Sequence, residues 1–117
     1  MNTIYYNDLI STIKRTISQL QNDVLTTIGD DAFRSCRSLT SINLPKVTTV
    51  GSNAFSSCKS LTSINLPNVT MVEYNAFSYC DSLKEIHFAT KNKKAIEALS
   101  GYSDKFGATN ATIYFDI

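Results

Sequence analysis

Three cysteines, Cys36, Cys58 and Cys80, stand at intervals of 22 residues. Evenly spaced thiols raise three possibilities: a disulfide, a metal site or a nucleophile. If the chain winds once per 22 residues, neighbouring cysteines bring their Cα atoms to about 5 Å, within disulfide range. Each, however, follows the same Ala-Phe pair, at Ala32-Phe33, Ala54-Phe55 and Ala76-Phe77. A thiol placed identically beside a core phenylalanine reads as a small buried hydrophobe. An odd count also fits no closed disulfide framework, and a straight row of thiols does not converge tetrahedrally on zinc. Inert core thiols are therefore expected, with no metal and no cofactor.

The remaining candidates for chemistry are few. His87 is the single histidine, and Glu85 lies two residues away, on the same side of an extended strand. An imidazole beside a carboxylate is half of a general-base arrangement, but no activated Ser or Cys accompanies it. His87 is accordingly read as a surface residue, and no catalytic residue is assigned. Only four glycines occur and none are clustered, so there is no phosphate-cradling loop. Lys91, Lys93 and Lys94 form a short basic run without interleaved aromatics, which fits a solvated helix start better than a nucleic-acid site.

The elements that position these residues repeat. Ile28-Gly-Asp-Asp-Ala-Phe-Arg-Ser-Cys-Arg-Ser-Leu-Thr-Ser-Ile-Asn-Leu-Pro is followed by a near copy from Val50 and a third from Val72, without insertion. Phe33, Phe55 and Phe77 coincide, as do Leu39, Leu61 and Leu83, and Ile42, Ile64 and Ile86. So many apolar positions locked to one period point to a solenoid. Ile42 and Leu44 alternate with polar Ser41 and Asn43, as a half-buried strand requires, and Pro45 and Pro67 then end their strands. Val47 and Val50 turn back to the core. The Ala-Phe-x-x-Cys segment suits a short helical turn on the opposite side. One coil cannot bury its own apolar edges, whereas stacked coils join those edges into a continuous spine.

The Ala-Phe-x-x-Cys-x-Ser-Leu-x-x-Ile-x-Leu-Pro repeat resembles the BspA-like leucine-rich repeats of bacterial and protozoan proteins, over residues 24 to 88. Val47 and Val69 depart from other leucine-rich repeats, which often carry Asn or Cys at that position, so the usual asparagine ladder is absent. The resemblance implies a scaffold, and for many members cell-surface adhesion or host contact. In a bacterial chain the sequons Asn68-Val-Thr and Asn110-Ala-Thr are read as chance matches.

The expected architecture is an α/β repeat: a short leucine-rich-repeat solenoid with one parallel β-sheet and helical caps at both ends. The ends of a solenoid expose apolar surface and need caps. Tyr6, Ile10, Ile13, Ile17, Leu20 and Val24 recur at helical spacing, which predicts a capping helix within residues 1–23. A coiled coil is the competing reading, because Ile at both core positions favours trimers or tetramers. Fewer than three heptads are available, so capping, and hence a monomer, is the expectation ahead of a trimer. Residues 24–88 form the three repeats. Residues 89–117 are read as a last, degenerate coil, with a helix over Asn92 to Leu99 closed by Gly101, then a strand in which Ile113 and Phe115 take the places of Ile42 and Leu44.

Composition agrees with a binding module. The chain has 117 residues, 18% charged and 43% hydrophobic, with a formal charge of +1. That balance offers no attraction to nucleic acid, and no apolar run is long enough to insert in a membrane. Residues 1 to 20 lack a basic start followed by an apolar core, so no secretory signal is read. The expected binding surface is the polar strand face: Thr40, Ser41 and Asn43; Thr62, Ser63 and Asn65; Lys84, Glu85 and His87. Tyr74, Tyr79 and Tyr102 are aromatic anchors if exposed. The partner expected is a protein, on a host or cell surface. Two other functions use the same features: a structural repeat of a surface or phage-like assembly, oligomerising through the front helix, and carbohydrate binding.

Overall fold

The computed structural model describes residues 3–8 and 18–117. The chain winds as a β-solenoid whose coils place two strands each in two parallel sheets. The first sheet holds β1 (Thr3–Ile4), β3 (Thr27–Ile28), β5 (Thr49–Val50) and β7 (Met71–Val72), in that order. The second holds β2 (Gln19–Gln21), β4 (Ser41–Asn43), β6 (Ser63–Leu66), β8 (Glu85–Phe88) and β9 (Thr112–Phe115). Every pairing is parallel, with Thr27 opposite Thr49 and Asn43 opposite Asn65, a shift of one repeat.

The expectation of one parallel sheet is therefore corrected to two. Val50 and Val72 are buried, as the turn back to the core requires. Their backbone amides must also be satisfied once they are inside. A repeat without insertion brings each such segment against its neighbour, so Thr49-Val50 pairs along the stack as Ser41–Asn43 does. A third ladder runs through the turns. Phe33 N–H donates to Ala54 O at 2.8 Å and Ser35 N–H to Ser56 O at 2.8 Å. Phe55 and Ser57 repeat the pattern onto Ala76 and Ser78. The Ala-Phe-x-x-Cys segment is thus not a helical turn but a coil-to-coil ladder. Left-handed residues at Asp31 (φ 61), Ser35 (φ 63), Asn53 (φ 56) and Ser57 (φ 62) aim its amides at the next coil. Coils approach so closely that a Cβ on Gly51 would lie 2.6 Å from Asp30 Oδ1 and 2.7 Å from the Asp30 nitrogen.

Among the described residues, helical caps are not found at both ends. At the front, Thr3–Ile4 pairs with β3 and Gln19–Gln21 pairs with β4, so this segment supplies a strand to each sheet. Tyr6–Asp8 is a single 3-10 turn, and Val24 is exposed. Ile10, Ile13 and Ile17 lie outside the described residues. Leu20 satisfied a helical spacing and the repeat spacing at once; it pairs with Ile42, 22 residues on, because a ladder satisfies more backbone than an isolated helix of that length. At the back, the helix is shorter than expected: α1 (Lys93–Glu97), entered through a 3-10 turn at Thr90–Asn92, with Ile96 fully buried. The final strand is where it was expected, with Ile113 opposite Ile86 and Phe115 opposite Phe88.

The core is a set of columns. Phe33, Phe55 and Phe77 stack with centroids 5.5 and 5.7 Å apart and planes within 9°. Leu39, Leu61 and Leu83 are all fully buried, as are Leu44, Leu66 and Phe88. Phe106 closes the phenylalanine column, edge-on to Phe88 at 6.2 Å, and its carbonyl accepts from Phe77 N–H as Ala54 does from Phe33. Val47 and Val69 are buried, but the amide they displace is recovered one residue away. Asn68 Nδ2 donates to Pro45 O at 2.6 Å, and Asn92 Nδ2 to Val69 O at 3.3 Å, each binding the coil before it. Removing the middle ring breaks two stacks at once, so Phe55→Ala is expected to lower unfolding free energy by about 3–5 kcal/mol in chemical denaturation. An unchanged midpoint and slope would contradict the stacked column.

Candidate functional site

The strand face is built by alternation. Ile42, Ile64 and Ile86 point inward and are buried. The residues on either side therefore point outward, and the parallel register aligns them. One column runs Gln21–Asn43–Asn65–His87–Tyr114, each residue opposite the next. Beside it Ser41 pairs with Gln19, and Ser63 with Glu85 and then Thr112. Ser41, Asn43, Asn65 and Glu85 are exposed, while Ser63 and His87 are half-buried. Thr40, Thr62 and Lys84 sit exposed just before their strands. Thr40 is already engaged, since its hydroxyl donates to Ser18 O at 2.9 Å, a bond within the stack. The register thus aligns six of the nine expected residues on this face, Ser41, Asn43, Ser63, Asn65, Glu85 and His87, while Thr40, Thr62 and Lys84 are exposed just ahead of them. The tyrosines are not part of it: Tyr74 and Tyr79 are exposed elsewhere, and Tyr102 packs on Phe106 and Phe115.

The most structured point of the face is His87. Its Nε2 lies 2.8 Å from Glu85 Oε1, and its Nδ1 lies 2.9 and 3.0 Å from the two oxygens of Asp116. The ring stacks on Tyr114 at 4.9 Å, with planes 12° apart. Two carboxylates facing two ring nitrogens select the imidazolium, because only that form carries both N–H groups. Partial burial pulls the His87 pKa down, but the hydrogen bonds to Asp116 and Glu85 outweigh it, so it rises above 6.5. With both nitrogens occupied, the ring has no lone pair to offer a substrate, so it cannot serve as a general base in this state. It fastens the last strand to the one before. Asp116 and Tyr114 are the residues that reading the sequence missed. The alternation of Thr112–Phe115 already placed Tyr114 in the His87 column, but the 27-residue separation of Glu85 from Thr112 hid the pairing.

The cysteines are donors within the spine. All three are buried and none forms a disulfide. Cys58 Sγ donates to Phe33 O at 3.3 Å, and Cys80 Sγ to Phe55 O at 3.0 Å. The Cys58 thiol is pushed well above the usual thiol range by its hydrogen bond with Cys80 and by burial. Cys58 so held does not ionise near neutral pH, whereas the same hydrogen bond moves Cys80 below the usual thiol value; Cys80 stays buried with its Sγ turned to Phe55 O. Two of the three basic-run lysines also serve the fold: Lys91 Nζ reaches Asn68 Oδ1 at 3.4 Å, and Lys93 Nζ lies 5.8 Å from the centroid of the Phe115 ring. Among the described residues no helix is long and apolar enough to cross a membrane.

A raised histidine pKa links stability to pH in one direction. The contribution of His87 is fully present below the unfolded-state value near 6.5 and is lost as pH rises through the higher folded-state value. His87→Asn restores the residue of the two preceding coils and removes the titration. Urea unfolding from pH 6 to pH 8 is expected to show wild-type stability falling relative to the variant. Parallel pH profiles would contradict the clamp.

Against this geometry stand the comparisons with known proteins. The family model describing a BspA type leucine rich repeat region (6 copies) matches residues 2–103, well beyond the three repeats read from the sequence and into the first strands. A comparison with curated protein sequences finds no significant match. A leucine rich cell surface protein from Faecalibacterium prausnitzii A2-165 superposes with a TM-score of 0.55 at 17% identity, over 84% of this chain and 29% of that one. A leucine-rich repeat protein from Bacteroides ovatus ATCC 8483 gives 0.55 at 22% identity, over 84% of this chain and 36% of that one. The chain thus spans about a third of the length of these solved relatives in fold, and at such identity the likeness shows the fold alone. With the repeat, the two sheets and the match across residues 2–103 in hand, the chain belongs to the BspA-type leucine-rich repeat family.

Proposed function

We propose that the chain is a non-catalytic interaction module that binds a protein partner through its polar strand face. The column Gln21–Asn43–Asn65–His87–Tyr114 carries this reading. Asn43 and Asn65 are repeated, exposed and outside the core, and their amides offer both donors and acceptors in a fixed row. Five strands at the parallel spacing give a face about 19 Å wide. A stable interface covers roughly 800 Å² on each partner, so a face of this width suits a weak contact or one multiplied across further repeats. That the Faecalibacterium relative is a leucine rich cell surface protein supports a cell-surface setting for this chain as well. The module acts without cofactor, nucleic acid or membrane insertion.

The chain is expected to run as a monomer by light scattering, since Thr3–Ile4 and Gln19–Gln21, on either side of the isoleucines, are committed to the two sheets. The face itself is tested with a photo-crosslinking residue in place of Asn65 and, separately, in place of Arg34 on a turn. Cross-links to one protein partner are expected from position 65 only, and lost on adding Asn43→Arg. Equal capture from position 34, or capture that survives the Asn43 change, would refute the strand face as the binding surface.

A further inference from the structure

In a repeat protein each coil is a control for the next. The buried positions of the third turn repeat those of the first two: Ala76, Phe77, Cys80 and Leu83 stand where Ala54, Phe55, Cys58 and Leu61 do. Its surface departs from them. Tyr79 occupies the place of Ser35 and Ser57, and Asp81 that of Arg37 and Lys59. Tyr79 keeps the left-handed backbone of those serines, at φ 61, a conformation in which a bulky aromatic residue is uncommon and strained. Burial does not compensate, because the side chain is 71% exposed. The exposed ring adds nothing to the buried spine beyond what the serines of the earlier turns supply.

The surroundings of Tyr79 are ordered. Lys59 Nζ lies 5.7 Å from the centroid of the ring and 2.9 Å from Asp81 Oδ2. The ammonium is held by the carboxylate and attracted to the ring, which fixes all three side chains together. Next to the ring, a cleft of about 250 Å³ is lined by residues 78–81 together with Gly107, Thr109 and Asn110, Cys80 among them. Gly107 (φ 91) lets the last loop approach: a Cβ there would meet Ser78 Oγ at 2.5 Å and the Ser78 nitrogen at 2.8 Å. The cleft thus lies where the third turn meets the C-terminal loop, which takes the place that the next turn takes over each earlier one but differs from it in sequence.

We propose that this cleft binds a neutral saccharide ring, stacked by its C–H face on Tyr79 and hydrogen-bonded through its hydroxyls to Asp81, Thr109, Asn110 and Ser78. This site is separate from the strand face and does not depend on it. Charge balance argues for a neutral ligand, because Lys59 and Asp81 neutralise each other. An apolar ligand would strip water from hydroxyl, amide and carboxylate groups without replacing their hydrogen bonds. Vicinal sugar hydroxyls both donate and accept, which matches a lining of hydroxyls, an amide and a carboxylate. The electron-rich face of the phenol ring favours the polarised C–H bonds of a pyranose. A volume below the roughly 300–1,000 Å³ of drug-sized pockets fits one ring rather than an oligosaccharide.

The test titrates the isotope-labelled chain with the methyl glycosides of glucose, galactose, mannose and N-acetylglucosamine, and with glucuronate as the anionic comparison. Saturable shifts are expected at the amides of Ser78, Asp81 and Asn110 with at least one neutral glycoside. Tyr79→Ser, the residue of the other coils, is expected to weaken binding roughly tenfold or more while the melting temperature stays level or rises. Four outcomes overturn the proposal: no shift at these amides with any neutral glycoside, binding of glucuronate alone, undiminished binding by Tyr79→Ser, or shifts centred on Asn43 and Asn65.

Discussion

A coil of 22 residues has too little interior to hold itself together, and what makes this molecule a structure is the bond from each coil to the next. Three ladders carry it. Two are the parallel sheets, and the third runs through the turns from Asp31, Phe33 and Ser35 to the backbone one repeat on. The same contacts set the side chains. Because the period holds without insertion from Ile28 to Phe88, every residue lies over its own copy, so rings stack on rings and thiols donate to the carbonyl of the coil before. Small residues at Gly51 and left-handed residues in the turns follow from this closeness rather than from any local preference.

That constraint explains which parts were legible in the sequence. Ile42 and Leu44, Pro45 and the phenylalanine column could be read directly, because a repeat multiplies each signal by three. So could the outward position of Asn43, Asn65 and His87. The second sheet was not legible, because Thr49-Val50 is only two residues long and has no alternation to display; its pairing exists only once coils are stacked. Around Tyr6 and Leu20 the front segment was misread for a related reason. Thr3-Ile4 matches Thr27-Ile28 and Leu20 matches Ile42, but two extra residues between them spoil the period. A helical spacing then looked better than a broken repeat. At the back, five extra residues displaced Tyr114 and Asp116 from their column in the same way.

The departures from the repeat set its third coil apart. Where coils agree, they build the spine and the amide row; where they differ at the surface, each difference adds a feature the other coils lack. His87 replaces an asparagine and binds the last strand through Asp116 and Tyr114, so one end of the strand face is a charged, stacked cluster while the centre is a plain amide row. Tyr79 replaces a serine and faces the loop that closes the stack. Both departures fall in the third repeat, next to the C-terminal end of the scaffold. A scaffold with identical coils offers a partner no unique position along its axis, and these substitutions mark one.

The central claim is that bonds between coils, rather than within them, hold the fold. Amide hydrogen exchange, read residue by residue by NMR, separates the two. Phe55 and Ser57 donate to the next coil, whereas Ala54 and Cys58 donate within their own turn. The account predicts that Phe55 and Ser57 are among the most protected amides, with protection falling toward β1 and β9. Fast exchange at Phe55 and Ser57 alongside protected Ala54 and Cys58 would show coils that form singly, and would contradict it.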